Sequence, residues 1–226
     1  MPATTAPSAR TRVRRKPERA RYDADAVNAI VDAAVICNVA FQLDGAVHAI
    51  PTIHWREGEH LYIHGAKASR MLKALIDGEA CITIALADGL VLARSAMHHS
   101  MNYRSVVVYG RFELLTDPLE KQRSLQALID GLYPGRWDTL RPISDKELNA
   151  TSVLRIPLTE ASAKVRDSGV KDDEEDLAWP AWAGVIPLRT ELGTPRAEAD
   201  SVVGTVPPTR FGSPRGGHRG HRRALR

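Results

Sequence analysis

Cysteine is nearly absent: Cys37 and Cys81 are the only two in 226 residues. Both sit inside apolar, strand-like runs, so the reading is a pair of buried, reduced thiols. That leaves no disulfide framework and no Cys-x-x-Cys site. Long apolar runs are missing too, none approaching the ~18 residues that a membrane span needs. The first thirty residues carry seven Lys/Arg between positions 10 and 21 and no apolar core segment, so no secretory leader is expected and the expected location is the cytoplasm. No Gly-x-Gly-x-x-Gly follows a strand, which argues against a doubly wound dinucleotide fold. No Gly-x-Ser-x-Gly is present, which argues against a nucleophile elbow.

Acid is scarce at the two ends, with Glu18 alone in residues 10–21 and none in 210–226. Residues 10–21 carry a net +6 and residues 210–226 another +6, within a total of +4, so the body between them carries −8. A folded nucleic-acid binder would line one face of its domain with cations; an acidic body with basic tails is not that, and no specific nucleic-acid partner is expected. The composition divides the chain into a disordered basic lead (1–20), one folded domain (21–190) and a disordered Pro/Gly/Arg-rich tail (191–226).

Within the domain the hydrophobic period switches repeatedly. Val27, Ile30, Val31 and Ala34 recur at helical spacing behind Asp23 or Asp25 as a cap. Strand-like runs follow over 36–43 and 47–55, and Asp44-Gly45 between them is a tight-hairpin signature. A third strand covers Leu61-Tyr62-Ile63-His64, after the turn at Glu57-Gly58-Glu59. A helix over 68–77, ended by Gly78, precedes two further strands (81–86 and 90–94) placed around a second Asp-Gly pair, Asp88-Gly89. One long strand covers 103–115 and a helix 118–133. Ser144-Asp145-Lys146-Glu147 is a capping box, and strands return at 153–158 and 161–166. Strands joined by short turns, with helices inserted between them, give an α+β antiparallel barrel.

Two stretches concentrate chemistry. In His64-Gly65-Ala66-Lys67-Ala68-Ser69-Arg70 a strand ends and a helix begins. Free N–H groups, Lys67, Ser69 and Arg70 meet there, which suits a phosphate. In Ser100-Met101-Asn102-Tyr103-Arg104, polar groups lead into the β run Val106-Val107-Val108-Tyr109 and could hold a ligand's polar edge. Six of the eight histidines lie between His48 and His99, which makes haem conceivable, yet no pair has metal-site spacing and no metal ion is expected.

Four segments together resemble the pyridoxamine 5′-phosphate oxidase-like flavin-binding split-barrel superfamily, in its flavin-nucleotide-binding and nitroimidazole-resistance branch. They are Ala49-Ile50-Pro51-Thr52, Leu61-Tyr62-Ile63-His64-Gly65-Ala66, Asn102-Tyr103-Arg104-Ser105-Val106-Val107-Val108-Tyr109-Gly110 and Arg141-Pro142-Ile143-Ser144. The resemblance covers roughly residues 12–190. It implies a six-stranded split barrel with peripheral helices and a homodimer holding FMN at the subunit interface. The phosphate would meet Lys67, Ser69, Arg70, Ser100, Asn102 and Arg104, with Gly65 letting the backbone approach and Tyr103 beside them. The ring would lie along Pro51, Thr52, Ile53 and His54, with His64 nearest the chemistry. The implied activity is reduction of small nitro-aromatic or quinone-like molecules by reduced flavin, with NAD(P)H as a possible donor. A deazaflavin or haem on the same barrel, without turnover, is the alternative. The basic substrate-phosphate motif of true pyridoxamine phosphate oxidases is missing, so vitamin B6 oxidation is not expected.

Overall fold

The computed structural model describes residues 5–211. After a short strand β1 (Ala20–Arg21), helix α1 (Ala24–Ala33) starts where the Asp23 carboxylate accepts the Ala26 N–H at 2.9 Å. Its Val27, Ile30 and Val31 are buried at helical spacing. Strands β2 (Ile36–Leu43) and β3 (Ala46–Ile53) form a hairpin. Asp44 and Gly45 take φ of 54° and 78° there, as a two-residue turn matching the strand twist requires. Strands β4 (Trp55–Glu57) and β5 (His60–Ala66) turn at Gly58, φ 56°. Helix α2 (Arg70–Asp77) begins at the Ser69 cap and stops at Gly78. Strands β6 (Glu79–Leu92) and β7 (Ser100–Arg111) are long and paired along their length. Strand β8 (Glu113–Leu114), helices α3 (Pro118–Leu132) and α4 (Asp145–Ala150), and strands β9 (Thr151–Pro157), β10 (Ala161–Arg166) and β11 (Gly184–Pro187) complete the order.

The strands form two antiparallel sheets. The larger has seven strands in the order β1-β10-β7-β6-β2-β3, with β11 added to β6. The smaller runs β4-β5-β9-β8. The α+β antiparallel class therefore holds; where a six-stranded split barrel is expected, the described residues form eleven strands in two sheets. Leu61, Ile63, Leu154 and Ile156 of the small sheet pack on Ile82, Val106 and Val108 of the large one. On the small sheet's other face Trp55, Tyr62 and Val153 pack on Leu125, Leu128 and Leu132 of α3 and Leu148 of α4. Side chains alternate along a strand. With Leu61 and Ile63 given to the first core, Tyr62 and His64 face the second.

Two sequence expectations fail for identifiable reasons. Asp88-Gly89 is no hairpin: β6 continues through it, with a register shift at Ala87/Gly89 against β7. Glycine serves close approach here. A Cβ on Gly89 would lie 3.1 Å from Val185 Cγ1 and 3.2 Å from the Ile186 carbonyl oxygen, because β11 lies alongside. Asp88 meanwhile pairs with Arg104. The basic lead is also not free of the domain. Thr11 is buried, Arg10 pairs with Glu79 and Glu160, Lys164 donates to the Arg15 carbonyl at 2.9 Å, and β1 pairs with β10. Of the C-terminal tail, residues 212–226 lie outside the described residues.

Candidate functional site

Where α3 and α4 lean on the outer face of the small sheet, the packing leaves a cleft of about 430 Å³. That is within the size range of cofactor and small-molecule pockets. Its walls are Leu125, Leu128 and Ile129 from α3, and Trp137, Leu140 and Ile143 from the segment between the helices. Four polar residues interrupt them: His64 from the end of β5, Arg141, Glu147 from α4 and Thr151 at the start of β9.

His64 is the unusual member. Its ring is half-buried, sits edge-on to Trp55 at 5.8 Å, and its Nδ1 is buried without a hydrogen-bond partner. Burial lowers its pKa below the ordinary value, so the ring is neutral at physiological pH. A neutral imidazole with an unused nitrogen, beside an apolar cleft, has the properties of a ligand to a metal carried in by a cofactor. Among the described residues no three His, Cys, Asp or Glu side chains come together as a metal-holding group.

Arg141 is fixed before any ligand arrives. Its guanidinium forms a two-pronged pair with the Glu147 carboxylate and donates to the Pro142 carbonyl at 3.1 Å. Glu147 in turn accepts from the Ser144 N–H at 2.9 Å and from its hydroxyl at 2.7 Å, completing the capping box. Arg141, followed by these Ser144 contacts, holds the Glu147 carboxyl well below the usual carboxylate range. On α3, Lys121 donates to the Thr151 carbonyl at 3.0 Å.

The residues expected to hold a flavin divide into three groups. At the start of α2, Ser69 caps the helix through the Leu72 N–H, Lys67 is exposed, and Arg70 is exposed and pairs with Asp44 at 3.2 Å. Gly65 serves packing: a Cβ there would sit 3.1 Å from Leu72 Cδ1. Along β3, Pro51 is exposed and Thr52 and Ile53 are half-buried, on a strand whose second edge is unpaired among the described residues. His54, beyond its end, is 1% exposed, and its Nε2 donates to the Val31 carbonyl at 3.0 Å. It tethers α1 rather than facing a surface.

In β7, Ser100 is exposed and Tyr103 half-buried. Asn102 is buried, and its Oδ1 accepts from Arg166 and from the Ser168 N–H. Arg104 makes a two-pronged pair with Asp88 at 2.9 and 2.7 Å. Both polar groups are thus already paired within the chain. Arg104 and Asp88 nevertheless line a second, wider cleft of about 1,110 Å³. It runs between the α1–β2 junction, the β6 bulge, residues 188–192 and Phe211. His98 and His99 bond to the Lys171 and Ser95 carbonyls, so they too serve the chain.

The family description "pyridoxamine 5′-phosphate oxidase" matches residues 23–165. The chain belongs to the pyridoxamine 5′-phosphate oxidase-like flavin-binding split-barrel superfamily. Among solved structures of the superfamily, the flavocytochrome Anf3 from Azotobacter vinelandii is 44% identical, with a TM-score of 0.86 over 90% of this chain and 95% of that one. An FAD- and haem-binding protein from Mycobacterium smegmatis is 34% identical, with a TM-score of 0.79 over 84% and 94%. A candidate 5-nitroimidazole antibiotic resistance protein from Bacteroides thetaiotaomicron VPI-5482 shares the fold at 23% identity and a TM-score of 0.56, over 65% and 86%. No curated protein matches. Among the described residues no helix is long and apolar enough to cross a membrane.

The cleft was legible only in parts. Its α3 wall lies in the apolar stripe of that helix, and Arg141-Pro142-Ile143-Ser144 carried the family resemblance. Trp137 and Leu140 went unassigned, and Ile143 carried no role beyond the resemblance. Three apolar residues in a segment without long regular structure were the available signal.

Proposed function

We propose that this chain binds a flavin nucleotide and a haem and works as an electron-transferring oxidoreductase. The observation that carries the haem half is the half-buried His64 imidazole in an apolar cleft, with a buried nitrogen that has no partner. Two relatives above 30% identity, a flavocytochrome and an FAD- and haem-binding protein, support the pairing of cofactors. His64 would hold the iron. Leu125, Leu128, Ile129, Trp137 and Leu140 would enclose the porphyrin's flat apolar body and keep water from it.

The flavin would use the start of α2 for its phosphate, through Lys67, Ser69 and Arg70, and the open β3 edge for its ring. FAD is favoured over FMN by the relative whose description names it. A second copy of the chain would complete that site: Ile36, Val47 and Ile50 on the exposed β2–β3 hairpin are apolar and uncovered. A flavin supplies two-electron chemistry and a haem one-electron chemistry, so the pair would join a hydride donor such as NAD(P)H to a one-electron acceptor. The protein's part is positioning, desolvation and a neutral imidazole.

The absorption spectrum of the purified protein, supplemented with ferric haem, tests this. The expected result is a Soret band together with flavin absorption, and loss of the Soret band with retention of the flavin in His64→Ala. A wild-type protein that takes up no haem, or a His64→Ala spectrum identical to wild type, would overturn the haem assignment.

A further inference from the structure

We infer that Arg141 and Lys121 form an anchoring pair for the two carboxylates of a dicarboxylic porphyrin, selecting the free-acid form of the ligand and its orientation in the cleft. This rests on the haem reading above, but the observations that carry it are independent of His64. They concern one cation that lines the cleft beside its Glu147 partner, Arg141, and a second, Lys121, that bonds the backbone carbonyl of a lining residue.

Arg141 lines the cleft on a short segment that has no helix or sheet ladder to fix it. The Glu147–Ser144 capping box supplies the rigidity instead. Three hydrogen bonds leave the guanidinium, two to Glu147 and one to Pro142. A guanidinium has five N–H donors, so two remain for a ligand. The two-pronged pair with Glu147 offsets the charge of this cation but takes only two of its five donors. The cation is held in place and still has capacity.

Lys121 supplies the second charge. One of its three N–H donors goes to the carbonyl of Thr151, itself a lining residue. Burial, and then the neighbouring Lys67 charge, lower its pKa. Neither lysine is in an ion pair among the described residues, whereas Glu113 and Glu120 nearby on the small sheet's outer side are taken by Arg155. Two ammonium groups that repel each other without a carboxylate between them are relieved by an anion. A charge-assisted bond from each cation to a carboxylate is the strong kind. A flat apolar body ending in two carboxylates meets both requirements, the apolar walls and the two cations.

The test compares ferric protoporphyrin IX with its dimethyl ester, which keeps the iron and the apolar body but carries no carboxylate. Affinities are read by absorbance titration on the full-length protein, wild type and the variants Arg141→Gln and Lys121→Gln. Both variants keep a hydrogen-bonding group and alter no core residue. Each variant is expected to weaken the free acid by about tenfold, the double variant by more, with the diester unchanged. Equal weakening of acid and ester would mean packing rather than carboxylate recognition and would overturn the inference. So would unchanged affinity for both, or a Lys121→Gln protein that loses flavin while keeping its haem affinity. If wild type takes up neither porphyrin, the haem reading itself fails. If wild type takes up both and the variants do not discriminate, only the anchoring pair fails.

Discussion

Replacing His54 by glutamine should flatten the acid limb of the stability curve. Nε2 of His54 faces the Val31 carbonyl oxygen at 3.0 Å, so the ring's proton sits there. Nδ1 then carries the lone pair, buried and without a partner. A second proton would create an N–H with no acceptor and a charge in a dry site. Burial is the largest influence and lowers the ring's pKa below 6.5; the Val31 bond opposes it, and the Arg210 charge adds to the lowering. In the unfolded chain the same ring titrates near 6.5. Below that pH the unfolded state holds a proton that the folded state does not. Stability therefore rises with pH across this window and is lost as the pH falls through the unfolded value.

The size follows from the linkage slope of about 1.4 kcal/mol per pH unit for each proton. The unfolded ring sets the ceiling: the integral from about pH 7.5 to about pH 5.5 is at most roughly 1.4 kcal/mol, reached where the folded ring stays neutral. In His54→Gln an amide N–H can replace the bond to Val31, and nothing titrates. The variant loses about 1–3 kcal/mol at neutral pH, because its amide oxygen lacks a donor. Its disadvantage then shrinks on acidification, by up to about 1.4 kcal/mol. Urea unfolding followed by tryptophan fluorescence, at several pH values, measures both. His64 contributes a slope of the same sign to both proteins and cancels in the difference. Stability curves for wild type and variant that run parallel from neutral to acid would refute the reasoning.

The remaining expectations concern the walls and supports of the clefts. Leu128→Ala removes a buried side chain shared by the outer core and the cleft beside α3. It should cost about 2–4 kcal/mol by urea unfolding and weaken porphyrin uptake; an unchanged unfolding midpoint would mean that the wall is not packed as described. Ser144→Ala should cost about 1 kcal/mol and, by loosening Glu147 and with it Arg141, raise the rate of haem loss to a scavenging apoprotein; an unchanged rate would separate the capping box from the cleft. Gly89→Val drives a side chain into Val185 and the Ile186 carbonyl. It should release β11 and speed proteolysis across residues 167–191, and protection equal to wild type would contradict the close approach.

Local chemistry made much of the fold legible. The Asp23 cap, the Asp44-Gly45 turn, the Gly78 stop and the Ser144 capping box each act over four residues or fewer, and each is present. What the sequence concealed depends on distant partners. Asp88-Gly89 has the same dipeptide as Asp44-Gly45, yet only the latter turns, because β11, from residues almost a hundred positions later, lies against β6 and Arg104 takes Asp88. Arg10 looks solvated until Glu79 and Glu160 meet it. Asn102 looks available to a ligand until Arg166 occupies its oxygen.

The same logic separates the two buried histidines. His54 and His64 lie ten residues apart, both at the end of a strand, and burial pushes both pKa values down. No local rule distinguishes them. The difference lies in what closes over each ring. His54 meets the carbonyl end of α1, which uses one nitrogen and leaves no space. His64 meets α3 and the segment after it, whose side chains stop short of the sheet and leave a cavity. A helix carbonyl makes a histidine structural, whereas an apolar void beside an unused nitrogen leaves it free to bind. The alternation of β5 decides which face His64 takes, so a one-residue slip of that strand would turn it into the inner core and remove the site.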